Sequence, residues 1–181
     1  MKLTEKRLSG KELYHGKIIR VQLDEVELEN GAKAMREVVR HPGGVCAAIL
    51  TEKNELMFVR QFRYPYAQVV LECPAGKLEP GEDPDEAIKR EQKEETGTTS
   101  SRYIKLGEIY PTPGYCDEIL HLYACRVESY GDLNPDEDEF LEVERIPLQK
   151  AVEMAENGEL LDAKTQILVL RAARLVEQGK L

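Results

Sequence analysis

The chain of 181 residues carries 25 basic and 34 acidic side chains, which gives a net charge of −9 and a pI near 5.0. Nucleic acid and anionic membranes are therefore excluded as main partners, although an anionic small molecule can bind if metal ions supply positive charge. The length suits one compact domain with a small appendage.

Strand patterns open the chain. Lys17–Leu28 and Lys33–Val39 have strand character, and the Asn30-Gly31 pair between them is a strong hairpin signal. The HPGG sequence at His41–Gly44 then breaks the pattern and predicts a junction. We therefore expect a β-hairpin ahead of a larger domain.

Strands and helices alternate in the remainder of the chain. The strand-like segments are Val45–Leu50, Leu56–Gln61, Val69–Cys73, Tyr103–Glu108, Ile119–Val127 and Phe140–Ile146. Helices are predicted after Asp83, over Leu148–Asn157 and over Ala163–Gln178. This alternation is typical of an α/β fold.

The cysteines and histidines show no metal-site or redox pattern. The four cysteines form no C-x-x-C pair, and the three histidines lack zinc-ligand spacing, which favours unreactive thiols in a reducing compartment. No N-terminal signal-peptide pattern is present, and the apolar run Val45–Leu50 is too short to span a membrane. We expect a cytoplasmic protein with no membrane partner.

Three carboxylates share one side of the helix that is predicted between Asp83 and Gly97. Glu94 and Glu95 follow Glu91 by three and four residues, so their like charges repel unless a cation lies among them. Mg²⁺ prefers such clustered carboxylate oxygens. The alternative is a solvated acidic face, which the flanking glycines disfavour.

The segment Gly76–Gly97, GKLEPGEDPDEAIKREQKEETG, resembles the Nudix box, Gly-x5-Glu-x7-Arg-Glu-U-x-Glu-Glu-x-Gly-U, in which U is a bulky apolar residue. The matching positions are Gly76, Glu82, Arg90, Glu91, Glu94, Glu95 and Gly97. Gln92 and Thr98 occupy the two U positions and do not match. Because those positions pack the helix in the family, we expect these departures to affect local stability more than chemistry.

The resemblance implies the Nudix fold, an α/β arrangement in which a mixed β-sheet is sandwiched between α-helices. Residues 1–41 would be an N-terminal β-hairpin extension, and residues 42–181 the Nudix hydrolase domain. In the ADP-ribose-cleaving branch of the family such an extension builds the dimer interface, and substrate is shared between subunits. The resemblance therefore implies a homodimer.

Features outside the box are similar to those of the ADP-ribose branch. Pro113, followed by Gly114, lies sixteen residues after Gly97, as the branch's marker proline does. Arg63 in Gln-Phe-Arg and Arg36 near the N-terminus match arginines that contact substrate in this branch. The alternatives are an ordinary Pro/Gly loop, an exposed strand arginine and an edge-strand arginine that aids solubility.

The acidic run Asp136–Glu139 precedes a predicted strand and resembles the loop that supplies a catalytic glutamate in ADP-ribose pyrophosphatases. Glu139 is the expected general base, and Glu137 is the alternative base or a metal helper. A solvated charge run is the other interpretation of this segment.

The resemblance also implies a cofactor and a reaction. The expected cofactor is Mg²⁺, with Mn²⁺ as the alternative, and the reaction converts ADP-ribose to AMP and ribose 5-phosphate. Glu94 completes or orients the cluster and is counted with the catalytic residues. The expected metal-binding residues are Glu91, Glu95, the Ala75 carbonyl and Glu82.

Other functions stay open at this point. A hydrolase of another nucleoside-diphosphate sugar shares every box residue, and a hydrolase of oxidised nucleoside triphosphates usually lacks the N-terminal extension. The alternative from a different class of function is a non-catalytic module that binds ADP-ribose. All four box glutamates are present, which favours catalysis.

Overall fold

The structure is a computed structural model, and it describes residues 2–134 and 140–181. The chain divides into two compact units. The first comprises residues 1–43 together with 110–119, and the second comprises residues 44–109 together with 120–181. The segment 110–119 thus belongs with the N-terminal residues, a grouping that the sequence did not indicate.

The first unit contains a three-stranded antiparallel sheet in the order β1-β2-β3, formed by β1 (Lys6–His15), β2 (Arg20–Glu27) and β3 (Lys33–Arg40). The predicted hairpin corresponds to β2 and β3, and β1 is an additional strand. Two register shifts interrupt the pairing of β1 with β2. Such irregularities break the alternation of apolar and polar residues by which a strand is predicted from sequence.

The described residues of the second unit, 44–109, 120–134 and 140–181, form nine strands. They are β4 (Gly44–Leu50), β5 (Glu55–Arg63), β6 (Gln68–Glu72), β7 (Ala75–Lys77), β8 (Thr98–Thr99), β9 (Tyr103–Ile109), β10 (Leu120–Arg126), β11 (Ser129–Tyr130) and β12 (Leu141–Pro147). Seven of them form a sheet in the order β12-β5-β4-β10-β9, with β6 paired to β5 and β7 to β4, while β8 and β11 pair separately. The sheet is mixed, because β10 runs parallel to β4 and the other pairs are antiparallel.

The helices of this unit are α1 (Pro84–Thr96), α2 (Leu148–Glu156) and α3 (Ala163–Glu177). Every residue of β4 is buried, and its side chains alternate between two apolar clusters. One cluster contains residues of α2 and α3, and the other contains Ala87 and Ile88 of α1. A mixed sheet between helices was the predicted fold, and it is confirmed.

The ends of α1 follow from the sequence. Asp83 is the N-cap, and its Oδ1 accepts a hydrogen bond from the Asp85 amide at 2.8 Å. Pro84 occupies the first helical position. Gly97 ends the helix with φ of +62°, a left-handed conformation that favours glycine. Across residues 2–134 and 140–181, no helix is long and apolar enough to cross a membrane.

Candidate active site

Two box glutamates lie against the turn between β6 and β7. Glu95 is 2% exposed, and its Oε2 accepts a hydrogen bond from the Ala75 amide at 2.9 Å. Glu91 is 7% exposed and lies one helical turn earlier on the same side of α1. The start of β7 therefore brings the Ala75 main chain and two buried carboxylates together, and their role as metal ligands stays a prediction.

Gly76 permits this close approach. A Cβ atom at Gly76 would lie 1.8 Å from Oε1 and the carboxyl carbon of Glu91, far inside van der Waals contact. The Glu91 carboxyl group thus occupies the space that any other residue at position 76 would fill. The box glycine is needed for the position of this carboxylate.

Arg90 offsets the repulsion among the box carboxylates. Its Nη1 donates to Glu91 at 2.7 Å and to Glu94 at 2.9 Å, and its Nε and Nη2 each donate to Glu82 at 3.0 Å. The hydrogen bonds with Glu82, and then the neighbouring carboxylates, raise the pKa of Arg90 well above its ordinary value. The same contact with Arg90 lowers the pKa of Glu82. The structure therefore shows Glu82 and Glu94 as partners of Arg90.

Arg63 lies at the end of β5 and makes a bidentate ion pair with Glu72. Its Nε and Nη2 donate to the two carboxylate oxygens of Glu72 at 2.5 and 2.8 Å. These hydrogen bonds raise the pKa of Arg63, and the charges of Glu72, Glu95 and Asp162 add to the effect. Arg63 is thus within electrostatic range of the buried Glu95, and it retains 38% side-chain exposure.

The other predicted substrate residues belong to the first unit. Arg36 is on β3, and its Nε and Nη2 donate to Glu5 at 2.9 and 2.5 Å. Pro113 and Gly114 are exposed in a loop that is tied to β3 by a hydrogen bond from the Val39 amide to the Tyr115 carbonyl at 2.7 Å. The roles of these residues toward substrate stay predictions.

The two candidate bases, Glu137 and Glu139, lie outside the described residues. The chain just before them is held against the C-terminal end of α1. The Gly131 amide donates to the Gly97 carbonyl at 2.6 Å, and the Asn134 amide donates to the Glu94 carbonyl at 3.1 Å. Residues 131–134 therefore run beside the box helix.

The donor set near Ala75 suits a hard divalent cation. Glu91 and Glu95 are buried carboxylates beside main-chain groups, and oxygen donors of this kind are what Mg²⁺ and Mn²⁺ accept. Within the described ranges, no group of three or more His, Cys, Asp or Glu side chains is arranged to hold a metal. The Ala75 carbonyl stays the predicted further donor.

A polar network that the sequence did not predict lies behind α1. Gln92 is fully buried, its Nε2 donates to Thr98 and Ser100 at 3.0 Å, and its Oε1 accepts from Tyr103 at 2.5 Å and from Cys125 at 3.4 Å. Both unmatched box positions, Gln92 and Thr98, thus take part in one hydrogen-bonded cluster. Hydrogen bonds here take the place of the apolar packing that the motif leads one to expect.

Gln92→Leu tests the contribution of this network. The apolar side chain leaves the half-buried Tyr103 hydroxyl without its Gln92 acceptor and removes one partner of the Thr98 hydroxyl, so we expect the free energy of unfolding to fall by about 1–3 kcal/mol. Urea denaturation followed by circular dichroism measures the change. Tyr103→Phe in the Gln92→Leu background should then cost little, and an additive loss would contradict the network.

Comparisons with known proteins identify the family of the chain. A family profile described as NUDIX domain matches residues 39–166, and one described as nucleoside diphosphate sugar hydrolase N-terminal domain matches residues 5–39. The chain is 40% identical to the ADP-ribose pyrophosphatase of Bacillus subtilis, over 90% of this chain and 89% of that protein. It is 38% identical to the methanol dehydrogenase activator of Bacillus methanolicus, over 91% of this chain and 90% of that protein.

One further relative is similar in sequence, and one solved structure is similar in fold. The chain is 33% identical to the GDP-mannose pyrophosphatase of Yersinia enterocolitica, over 81% of this chain and 82% of that protein. A crystal structure of an ADP compounds hydrolase superimposes with a TM-score of 0.83 over 98% of this chain and 97% of that chain, at 22% identity.

The chain belongs to the Nudix hydrolase family. Its residues 5–39 match the profile described as nucleoside diphosphate sugar hydrolase N-terminal domain. Enzymes of this family generally need a divalent metal ion, in agreement with the donor set at Glu91 and Glu95.

Proposed function

We propose that this Nudix hydrolase uses Mg²⁺ to hydrolyse the pyrophosphate bond of ADP-ribose, with AMP and ribose 5-phosphate as products. The observation that carries the proposal is the pair of buried carboxylates, Glu91 and Glu95, at the Ala75–Gly76 turn. The likeness to the Bacillus subtilis ADP-ribose pyrophosphatase, at 40% identity, supports this substrate among nucleoside diphosphate sugars.

The reaction exchanges one phosphorus–oxygen bond for another. The oxygen of a water molecule bonds to one phosphorus, the bond from that phosphorus to the bridging oxygen breaks, and the bridging oxygen leaves on the other phosphate. The phosphate anions repel the incoming oxygen, and catalysis consists largely of positioning and charge stabilisation. A divalent cation, when bound, neutralises phosphate oxygens and lowers the pKa of water.

The residues of the site would have different roles in this reaction. Glu91 and Glu95 would hold the cation together with the Ala75 carbonyl, and Glu82 and Glu94 would act through Arg90. Arg63 would donate hydrogen bonds to phosphate oxygens, for which the planar guanidinium is well shaped. Arg36, Pro113 and Gly114 belong to the first unit and stay predicted substrate-binding residues.

Glu139 would accept the proton of the attacking water, because a base must come within hydrogen-bond reach of that proton. Glu139→Gln should slow turnover by about 10²–10⁴-fold, the range that general bases contribute, with little change in Mg²⁺ affinity. Steady-state kinetics across a Mg²⁺ titration measures both quantities. Glu137→Gln is the matched variant, and a larger loss there would move the role to Glu137.

A second substrate has a specific observation in its favour. The likeness to a GDP-mannose pyrophosphatase, at 33% identity, extends over 81% of this chain. The chemistry at the phosphates is the same for either substrate, so the box residues cannot discriminate between them.

A substrate panel tests the proposal. Purified protein with Mg²⁺ is incubated in parallel with ADP-ribose, GDP-mannose, ADP-glucose and 8-oxo-dGTP, and the products are separated by chromatography. Fastest EDTA-sensitive release of AMP and ribose 5-phosphate from ADP-ribose supports it. Faster cleavage of another compound transfers the mechanism to that substrate, and binding without any product would indicate a non-catalytic module.

The proposal includes a homodimer formed through the N-terminal sheet. Every residue of the edge strand β1 is exposed in the single chain. Its side chains include Leu8, Leu13 and Tyr14, which are 41%, 52% and 57% exposed. An exposed edge strand of this length is a surface that proteins usually cover. Sedimentation equilibrium measures the mass in solution.

A further inference from the structure

A buried lysine lies beside the site, and the mechanism above gives it no role. Lys164 is in the first turn of α3 and only 12% of its side chain is exposed. Its Nζ donates to Glu72 and, at 2.9 Å, lies in an ion pair with Asp162. Burying a lysine ammonium is costly unless its charge is paired, and Glu72 and Asp162 supply that pairing.

Glu72 is the shared partner of two cations. It is 3% exposed, and its carboxylate accepts two hydrogen bonds from Arg63 and one from Lys164. Burial alone would raise the pKa of Glu72, but the hydrogen bonds and charges of Arg63 and Lys164 outweigh it and hold the pKa below its usual value. Glu72 is therefore a buried anion whose charge both cations balance.

Asp162 does not cancel the charge of Lys164 completely. It is the N-cap of α3, and its Oδ2 accepts a hydrogen bond from the Thr165 amide at 2.9 Å. Part of its negative charge is therefore directed at the positive end of the helix. The charges of Arg63, Lys164, Glu72 and Asp162 sum to zero, and the most exposed member of the group is the cation Arg63.

The exposed end is Arg63. Only its Nε and Nη2 are engaged with Glu72, and within the part of the chain that the structure describes Nη1 donates to no residue. The guanidinium is therefore held along one edge, while the side chain as a whole is 38% exposed. An arginine fixed in this way presents hydrogen-bond donors to an anion at little cost in side-chain entropy.

We propose that Lys164 is a positioning residue, which neutralises Glu72 so that Arg63 stays oriented and retains its positive charge for the pyrophosphate of the substrate. The inference rests on the proposed function, since it assigns the phosphate contact to Arg63. Without Lys164, Arg63 alone would balance the buried Glu72 carboxylate, and its attraction for a second anion would fall.

The test compares four proteins in steady-state hydrolysis of ADP-ribose: the unchanged protein, Lys164→Met, Glu72→Gln and the double variant. Lys164→Met should raise KM by about 10-fold, the lower end of what supporting residues around a site contribute, with a smaller change in kcat. The double variant should recover most of that loss, because it has no unbalanced carboxylate to compete for Arg63.

Recovery of KM in the double variant distinguishes an electrostatic role of Lys164 from a structural role. If Lys164 only supported the packing of α3, the double variant would be at least as impaired as Lys164→Met, and that result would overturn the inference. An unchanged KM in Lys164→Met would overturn it as well. Lys164→Arg should keep KM near its original value, and Lys150→Met, on the exposed face of α2, serves as the matched lysine control.

The same variants show whether the inference about Lys164 fails or only the substrate assignment on which it rests. If GDP-mannose is cleaved faster than ADP-ribose, the four proteins are compared with GDP-mannose, because both compounds carry a pyrophosphate. The same order of KM values would then support the inference although the substrate assignment had failed. Arg63→Ala is the reference, and if it leaves KM unchanged the role given to Lys164 is overturned.

Discussion

Glu95→Gln should fold normally and lose roughly 10²–10³-fold of its turnover, the amount that a single preorganised charge-stabilising group contributes. Glutamine keeps a carbonyl oxygen in the position that accepts the Ala75 amide, where Glu95 Oε2 accepts it now at 2.9 Å. The substitution therefore preserves the local hydrogen bond, removes the negative charge and replaces one carboxylate oxygen by an NH2 group. A loss of this size in a folded protein would support Glu95 as a metal ligand.

Glu86→Gln is the matched control, because Glu86 is on the same helix, has a 69% exposed side chain and pairs only with Lys89 among the described residues. Its turnover should stay within about twofold of the unchanged protein, as is usual for a surface ion pair. Raising the Mg²⁺ concentration should restore part of the activity of Glu95→Gln but not change that of Glu86→Gln. Near-normal turnover in a folded Glu95→Gln protein would rule out Glu95 as a metal ligand.

Gly76→Ala is expected to lower turnover by about 10²-fold, because displacement of a catalytic group by ~1 Å has effects of that order. The new methyl group would lie 1.8 Å from the Glu91 carboxyl group, which must move away. The contact is with the end of a side chain rather than with backbone, so stability should fall only by the ~1–3 kcal/mol typical of overpacking. Activity is therefore lost mainly through the displaced carboxylate.

Gly131→Ala provides the comparison for this substitution. A Cβ atom there would lie 3.6 Å from the Gly97 carbonyl oxygen, an ordinary van der Waals distance. Thermal denaturation and kcat should both remain near those of the unchanged protein. If Gly76→Ala behaved in the same way, the Glu91 carboxyl group would have room to accommodate the methyl group, and Gly76 would not be needed for its position.

The acidic helix was predictable because the information is local. The N-cap Asp83, the terminal Gly97 and the spacing of Glu91 and Glu95 all lie within one stretch of the chain, and they fix a helix and one face of it. The mixed sheet followed from the strand pattern together with the resemblance. The metal-binding role of Glu91, Glu95 and the Ala75 carbonyl was inferred from the resemblance and stays a prediction.

The supporting contacts could not be predicted, because they join residues that are distant in the chain. Glu72 and Lys164 are 92 positions apart, and nothing near either residue indicates the other. Gln92 looked like a departure from the motif, and only the fold brings Tyr103 and Cys125 to it. Strand β1 was not predicted from the sequence. The register shifts in its pairing with β2 interrupt the alternation of apolar and polar residues by which a strand is predicted.

A contact between residues that are far apart in the chain determines when the site is completed during synthesis. The Cys73 amide, just before the Pro74–Gly76 turn, donates to the buried Thr165 hydroxyl at 2.7 Å. Domains emerge from the ribosome N-terminus first, so α1 is made long before Thr165. An unpartnered buried amide is unfavourable, and the turn beside the carboxylates lacks this anchor until α3 has been translated and docked. The nascent chain therefore carries its acidic helix early but should acquire hydrolytic activity only late in synthesis.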